Sequence, residues 1–450
     1  MVIVNFNTTA ALEANSRFRY TLQFMQEHPL CPKDLNLVCN QAEEATLSIN
    51  YGIDPVQESW CIPANERFFD SRLDQQKTIL IHHSHSHQAK SLSGIGLQKL
   101  DTPFFENGTF GFDLLETLFY HISRMEEVFA EKEQLNSAGW LSEDQQFLVR
   151  NHLNETPVVD EIVAAFFELI GGADIMRATT MDLSHDLDIL FRFKNQWSFV
   201  RAIAANLYHR RGLRELRNIC AHWWKRLTTT VKDPYDCFDD LLRPEYTWTT
   251  KTLFLMTGGN SKYDNLYAID HPYLDQIIRM ARARGYQFGI HPSYNAGFDE
   301  GMYRIEIKKL EATTHTKIIN NRQHWLRFDW QITPYLWEQN GIEFDYSMGY
   351  NQHIGFRCGT GFPYRMYDFK NEQAFTWTEV PLVLMDSSVK HFVLKNGEKV
   401  GEVIESFLQK NRQNTHISIN FHNSNFDELT EMGREVRKAY AQVIKSRNER

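Results

Sequence analysis

Residues 178–188 read ATTMDLSHDLD. Ala178 to Leu183 has the character of a strand, and His185, Asp186 and Asp188 follow it directly. Further along, KTLFLMT (251–257), YQFGIH (286–291) and ISINF (417–421) also read as strands. Helical spacing fills the gaps between them, as at Leu274 to Arg284 and Met302 to Ala312. Strands alternating with helices in this way indicate an α/β fold built on a parallel sheet or a distorted (β/α) barrel. Chemistry in such folds sits at the carboxyl ends of the strands. Asp186 and Asp188 follow the first strand, His291 closes the third, and His422 closes the last.

Upstream of Gly172 the pattern changes to a mixed α/β region. Leu12 to Gln26 and Phe112 to Lys132 have helical spacing, and Thr78 to His83 (TILIHH) reads as a strand. A further helix runs from about Pro157 to Ile170, with proline at its first turn, where a missing N–H costs little. Gly171-Gly172 ends it, because glycine tolerates the left-handed turn. The expected organisation is therefore an accessory domain over 1–172 and a barrel domain over 173–450.

The chain has 450 residues, enough for two or three domains, since one core seldom grows past roughly 250–300 residues. Hydrophobic residues at 42% and charged residues at 23% exclude a largely disordered or fibrous protein. The net charge of 48 − 57 = −9 argues against a general nucleic-acid binder. No apolar run approaches the ~20 residues of a membrane span. The best, Ile162 to Ile170, carries Glu168. The first twenty residues lack a basic stretch followed by an apolar one, and the six cysteines show no CxxC spacing. These features lead to the expectation of a cytoplasmic protein with reduced thiols. Oligomeric state is not legible.

Candidate chemistry concentrates in a few segments. Asp186 and Asp188 can divide labour, one holding a metal while the other takes a proton from water, although aspartates there also suit a helix cap. His291, fixed in an extended turn by Pro292, can ligate a divalent ion or be a structural histidine. NRQHWLRFD (321–329) carries Arg322, whose planar fork suits a carboxylate, and His324. FDYSMGY (344–350) and GFRCGT (355–360) carry Asp345 and Arg357 in turn-rich sequence. His422 can act as a general acid or cap a strand end. A rival cluster, His82, His83, His85 and His87, offers imidazoles without a carboxylate partner.

In order and spacing, SHDLD (184–188), KDPYDCFDDLL (232–242), TLFLM, GIHPSYNA, NRQHWLRF, GIEFDYSMGY, GFRCGTGFPY and EVPLVLMD (379–386) resemble the polysaccharide deacetylase family of NodB-homology proteins. The likeness is to a divergent branch with an N-terminal accessory domain. It implies a distorted (β/α) barrel that removes acetyl groups from sugars with a divalent metal, usually zinc. It further implies Asp186 as general base, Asp188 and His291 as metal ligands, Arg322 as the residue orienting the base, and His422 as the acid that protonates the leaving amine. Asp345, Arg357, Tyr294 and Asn295 would line the sugar site. The family's second motif gives two histidines four residues apart, and here the second position is Asn295. Either His324 completes the coordination, or the metal site is weak or absent.

Two functions are thus expected: a metal-dependent deacetylase acting on an N- or O-acetylated sugar in surface-polysaccharide or glycolipid biosynthesis, or a non-catalytic carbohydrate-binding protein on a degenerate barrel. In both, the partner is a carbohydrate and neither nucleic acid nor a membrane span is involved.

Overall fold

A computed structural model describes the whole chain except residues 42, 44, 55–58, 65–88, 92–95, 99–103, 137–140, 173, 209–211, 244–247, 265–266, 328, 397–398 and 449–450. The strand expected at Thr78 to His83 and the histidine run at 82–87 lie outside the described residues. By Cα packing the chain divides into two compact units. The first holds Met1–Thr179, Phe356–Pro381 and Asn411–His416, and the second Thr180–Gly355, Leu382–Lys410 and Ile417–Arg450.

The first unit begins with β1 (Val2–Asn7), β2 (Leu35–Cys39), β3 (Leu47–Tyr51) and β4 (Trp60–Ile62). A two-stranded pair, β5 (Ala89–Ser91) and β6 (Gly96–Gln98), and a short hairpin, β7 (Phe105–Glu106) and β8 (Thr109–Phe110), follow. Six of these make a sheet in the order β2-β1-β3-β4-β8-β7, parallel except at the hairpin. The apolar helix Val158–Gly171 lays Phe166 against Phe6 and Phe110, and it ends on Gly172 at φ 65°, a conformation glycine adopts without cost.

Two expected helices are broken. Leu12 to Gln26 divides at Asn15, whose side chain accepts the N–H groups of Arg17 and Phe18 and caps the second piece, Ser16–Glu27. Phe112 to Lys132 divides at Arg124, which sits at φ 53° between Leu114–Ile122 and Met125–Val128.

In the second unit β9 (Thr180–Leu187), β10 (Lys251–Leu255), β11 (Gln287–Ile290), β12 (Asn320–Asn321) and β13 (Phe344–Asp345) come in sequence. Then β14 (Tyr367–Asp368), β15 (Gln373–Ala374) and β16 (Thr378–Glu379) fall in the segment that belongs to the first unit. The chain returns to the second unit with β17 (Leu382–Met385) and, after two helices, β18 (His416–His422). Seven of these strands run in the order β13-β12-β11-β10-β9-β18-β17 within an eight-stranded parallel sheet, an arrangement consistent with a (β/α) barrel. The crossover helices Pro272–Ala283 and Glu300–Thr314 lie where helical spacing placed them. Strand β9 runs further than expected, through Asp186. Its register against β10 continues to Leu187↔Leu255, and its inner polar groups find partners in the sheet. Ser184 Oγ donates to the Ile419 carbonyl, and Asp182 accepts from the Thr250 N–H.

The returning segments alter the expected division at Gly172. Asp160, fully buried in the Val158–Gly171 helix, accepts hydrogen bonds from Thr360 Oγ1, Gly361 N–H and Thr415 Oγ1. Arg357 is placed in this unit as well. Its Nε and Nη2 grip the two oxygens of Glu127 at 2.9 and 2.6 Å, with Arg124 on the same carboxylate. Burial opposes ionisation of Glu127, but the two guanidiniums hold its carboxyl down at about 2. A guanidinium so engaged is a structural cation, which corrects its expected place at the sugar site.

Candidate metal and acid–base centre

A parallel sheet delivers the residues just past each strand to one edge. Asp186 and Asp188 come from the end of β9, His291 from β11, Arg322 and His324 from β12, Asp386 from β17, and Asn420 and His422 from β18. The backbone secures these exits. His291 N–H donates to the Leu255 carbonyl and Arg322 N–H to that of Ile290, both at 3.0 Å. Gly289 is required in β11, two residues before His291, because a Cβ there would stand 2.4 Å from the Phe254 ring. That ring in turn carries the Arg322 guanidinium at 4.6 Å.

Three donors converge. Asp188, His291 and His324 each offer a ligand atom within 4.8 Å of the other two. His291 Nδ1 lies 2.7 Å from the Arg322 carbonyl, which only accepts, so Nδ1 carries the proton. The lone pair of a neutral His291 is then on Nε2, 3.3 Å from Asp188 Oδ1. Two zinc bonds of ~2.0–2.1 Å at a tetrahedral angle need donors about 3.3–3.4 Å apart. Among the described residues, Asp188 Oδ1 is buried without a hydrogen-bond partner, a costly state that a cation would relieve.

At Asp188 and His324 the electrostatics run the same way, whereas at His291 they favour a proton that an ion would displace. Burial opposes ionisation of Asp188, yet His291, His422 and His324 hold its carboxyl well below the ordinary range. Burial and the neighbouring His291 push His324 down to about 4, which keeps its ring neutral and available as a ligand. Burial works against the proton on His291, and Asp186 and Asp188 raise it above its ordinary value. Mixed imidazole–carboxylate donors suit zinc and its divalent neighbours, and these three residues fit such an ion.

Beside the donors stand a carboxylate and an imidazole, each held by its own hydrogen bonds. Asp186 accepts from Arg322 Nη1 at 3.2 Å and from Asn420 Nδ2 at 2.8 Å. His422 presents Nε2 to Asp186 at 3.6 Å and to Asp188 at 3.9 Å. Its Nδ1 lies 2.6 Å from Asp386, which also accepts its backbone N–H. Burial lowers the His422 pKa, but Asp386, Asp188 and Asp186 outweigh it and raise the ring to about 10.

The remaining expected residues are distributed differently. Asn295 is exposed, joined only weakly to Asn260 at 3.5 Å, and is not among the converging donors; His324 stands in the third position instead. The Tyr294 ring packs at a tilt against Tyr263 at 4.5 Å and lies under the Arg327 guanidinium at 4.1 Å. With half-exposed Trp325, 5.7 Å from Tyr263, these rings form an aromatic surface next to His324. Asp345 is fully buried and accepts from Asn321 at 2.5 Å and from Ser347 N–H and Oγ at 2.9 and 2.8 Å. It ties the turn after β13 and has no surface to offer a sugar, which corrects that expectation.

Sequence reasoning missed Asp386, Asn420 and Asp264, which lies 3.9 Å from His324 and accepts the Tyr294 N–H. The signal for Asp386 was present, as the terminal aspartate of EVPLVLMD.

A family of unknown function (DUF7033) matches residues 8–173. No curated protein matches the chain. A solved structure from Mycobacterium smegmatis described as a "putative polysaccharide deacetylase" is similar at 15% identity and a TM-score of 0.34, over 59% of this chain and 85% of that one. A 4-alpha-glucanotransferase from Thermococcus litoralis is similar at 12% identity and a TM-score of 0.36, over 60% of this chain and 38% of that one. Among the described residues no helix is long and apolar enough to cross a membrane.

Proposed function

We propose that the second unit is a metal-dependent deacetylase acting on an acetylated sugar. The observation that carries the reading is the juxtaposition of the Asp188–His291–His324 donor set with a carboxylate and an imidazole set up for opposite proton transfers. A binding module would need neither. The resemblance of the strand-end motifs to the NodB-homology deacetylases supplies the acetylated sugar as substrate class.

Asp188, His291 and His324 would hold the ion. When bound, it supplies Lewis acidity toward a water molecule and toward the acyl carbonyl. Asp186 takes the proton of the attacking water. Arg322 and Asn420 hold its two oxygens in one orientation, so no rotamer search precedes the transfer. His422 is protonated at neutral pH and, with Nδ1 locked on Asp386, has Nε2–H to give to the departing nitrogen as the C–N bond breaks. The 3.6 Å approach of His422 Nε2 to Asp186 lets the proton taken from water restore the imidazolium. Tyr263, Tyr294 and Trp325 give a sugar ring a face to stack on.

The test is acetate release from a panel of N-acetylated and O-acetylated oligosaccharides by protein reloaded with zinc. Activity in the wild type that a chelator removes, and that Asp186→Asn lowers by ~10²–10⁴-fold, is expected. Wild-type turnover in Asp186→Asn overturns the assignment of the base. Glycan binding without acetate release from any member of the panel replaces the enzyme with the carbohydrate-binding reading.

A further inference from the structure

Fourteen large hydrophobic side chains are exposed among the described residues, and seven lie between Trp197 and Leu227. They occupy two helices of the second unit, Gln196–Tyr208 and Leu213–Thr228, which pack on each other through a parallel stack of Phe199 on Trp223 at 4.7 Å. At 100° per residue, Trp197, Val200, Leu207 and Tyr208 fall on one stripe of the first helix. Phe199 and Ile203 lie on the neighbouring stripe and pack on the small core of Phe193, Ile219 and Leu429. The second helix repeats the plan. Leu213, Trp224 and Leu227 share an outer stripe, while Ile219 and Trp223 face that core. Each helix thus carries an exposed apolar stripe alongside the one it buries, and the fold uses only the inner stripe.

Charge identifies what the outer faces suit. The described residues of the two helices carry Arg201, Arg214, Arg217, Lys225 and Arg226 against a single acid, Glu215. Glu215 is buried and accepts the Glu431 N–H, and of the five cations Arg226 pairs with Asp233. This cationic surface belongs to a chain whose net charge is −9. A second copy would bring the same basic helices face to face, so like charge opposes self-association through this surface. Tryptophan and tyrosine with leucine, flanked by arginine and lysine, match the boundary of an anionic bilayer, where indole rings sit at headgroup depth and basic side chains meet lipid phosphates.

We propose that this helical pair docks the protein on an anionic membrane surface, lying in the interface without spanning it. The proposal is independent of the catalytic reading.

The experiment is co-sedimentation of the full chain with vesicles of phosphatidylcholine alone and of phosphatidylcholine mixed with phosphatidylglycerol, read with indole emission. Binding to the mixed vesicles with a blue shift, weakened by salt, is expected. Trp197→Ser/Trp224→Ser should abolish the blue shift. Arg214→Gln/Arg217→Gln should weaken partition by roughly 25-fold, about fivefold per basic side chain. Both pairs are solvent-exposed, so melting temperatures should match the wild type. Failure of the wild type to bind mixed vesicles at low salt overturns the proposal, as does binding that neither pair alters. A dimer in sedimentation equilibrium that the tryptophan pair dissolves also overturns it, because the face would then belong to a second copy.

Discussion

Removal of one donor from the converging triad should cost a definite amount of metal affinity. Asp188 Oδ1 and His291 Nε2 are 3.3 Å apart, and His324 completes a set within 4.8 Å, so the chain contributes three ligands. Structural zinc sites with four protein ligands bind with ~10–16 kcal/mol, or about 2.5–4 kcal/mol per ligand. At ~1.4 kcal/mol per decade, losing one ligand should weaken binding by roughly 10²–10³-fold. His324→Ala is the informative variant, because the equivalent duty would otherwise fall to position 295. Chelator competition on metal-stripped protein, with Asp188→Asn, His291→Ala, His324→Ala and Asn295→Ala in parallel, gives the affinities directly. The first three should fall by that factor, and Asn295→Ala, altering an exposed side chain, should not move. Equal affinity in His324→Ala and the wild type would refute the triad. So would failure of the wild type to hold a stoichiometric ion after reloading.

Asp386→Asn removes the carboxylate on His422 Nδ1; a charge-assisted hydrogen bond is worth ~1.5–3 kcal/mol, so the ring of chelator-treated protein should titrate about one to two pH units lower by NMR, and an unchanged titration would dismiss Asp386 as its partner. Glu127→Gln strands Arg124 and Arg357 as buried, partly unpaired cations, and urea unfolding should reveal a loss of ~3–5 kcal/mol; a loss below 1 kcal/mol would mean that solvent reaches the pair. The folded pKa of Glu127 is depressed to about 2, so its contribution to stability is complete above the ordinary carboxylate range and disappears as pH falls from about 4.5 toward 2; acid titration of stability in Glu127→Gln should lack that component. Asp345→Ala leaves Asn321 and Ser347 without an acceptor and should cost ~1–3 kcal/mol in urea, whereas wild-type stability with a raised KM would return Asp345 to the sugar groove.

The placement of Asp186, Asp188, His291 and His422 was legible because one rule covers them: polar residues at the ends of apolar strands in an alternating α/β chain share the sheet's carboxyl edge. Arg322 and His324 were singled out only by the motif NRQHWLRF, because the two polar residues of β12 leave no apolar run to read. The same rule misplaced the end of β9. Polarity at Ser184 and Asp186 suggested that the strand had stopped, whereas neighbouring strands supply their partners. Asp345 and Arg357 sat in turn-rich sequence, where nothing local separates a carboxylate that closes a turn from one that faces a ligand. Arg357 depends on Glu127, 230 residues earlier, a pairing invisible to spacing. Asn15 and Arg124 broke helices whose apolar period ran straight through them, because capping and left-handed geometry act at single residues.

The three donors stand after β9, β11 and β12, with about a hundred residues separating Asp188 from His291. No short segment of the chain holds more than part of the set. Two donors spaced four residues apart would form a local clamp, ready as soon as one loop closed. Here the coordination sphere comes into existence only when distant strands have already paired, and the entropy of closing those long chain loops is spent before the first bond to an ion forms. An ion held there is consequently a cross-link of the assembled sheet, and its exchange rate reports on how often the strand ends part company.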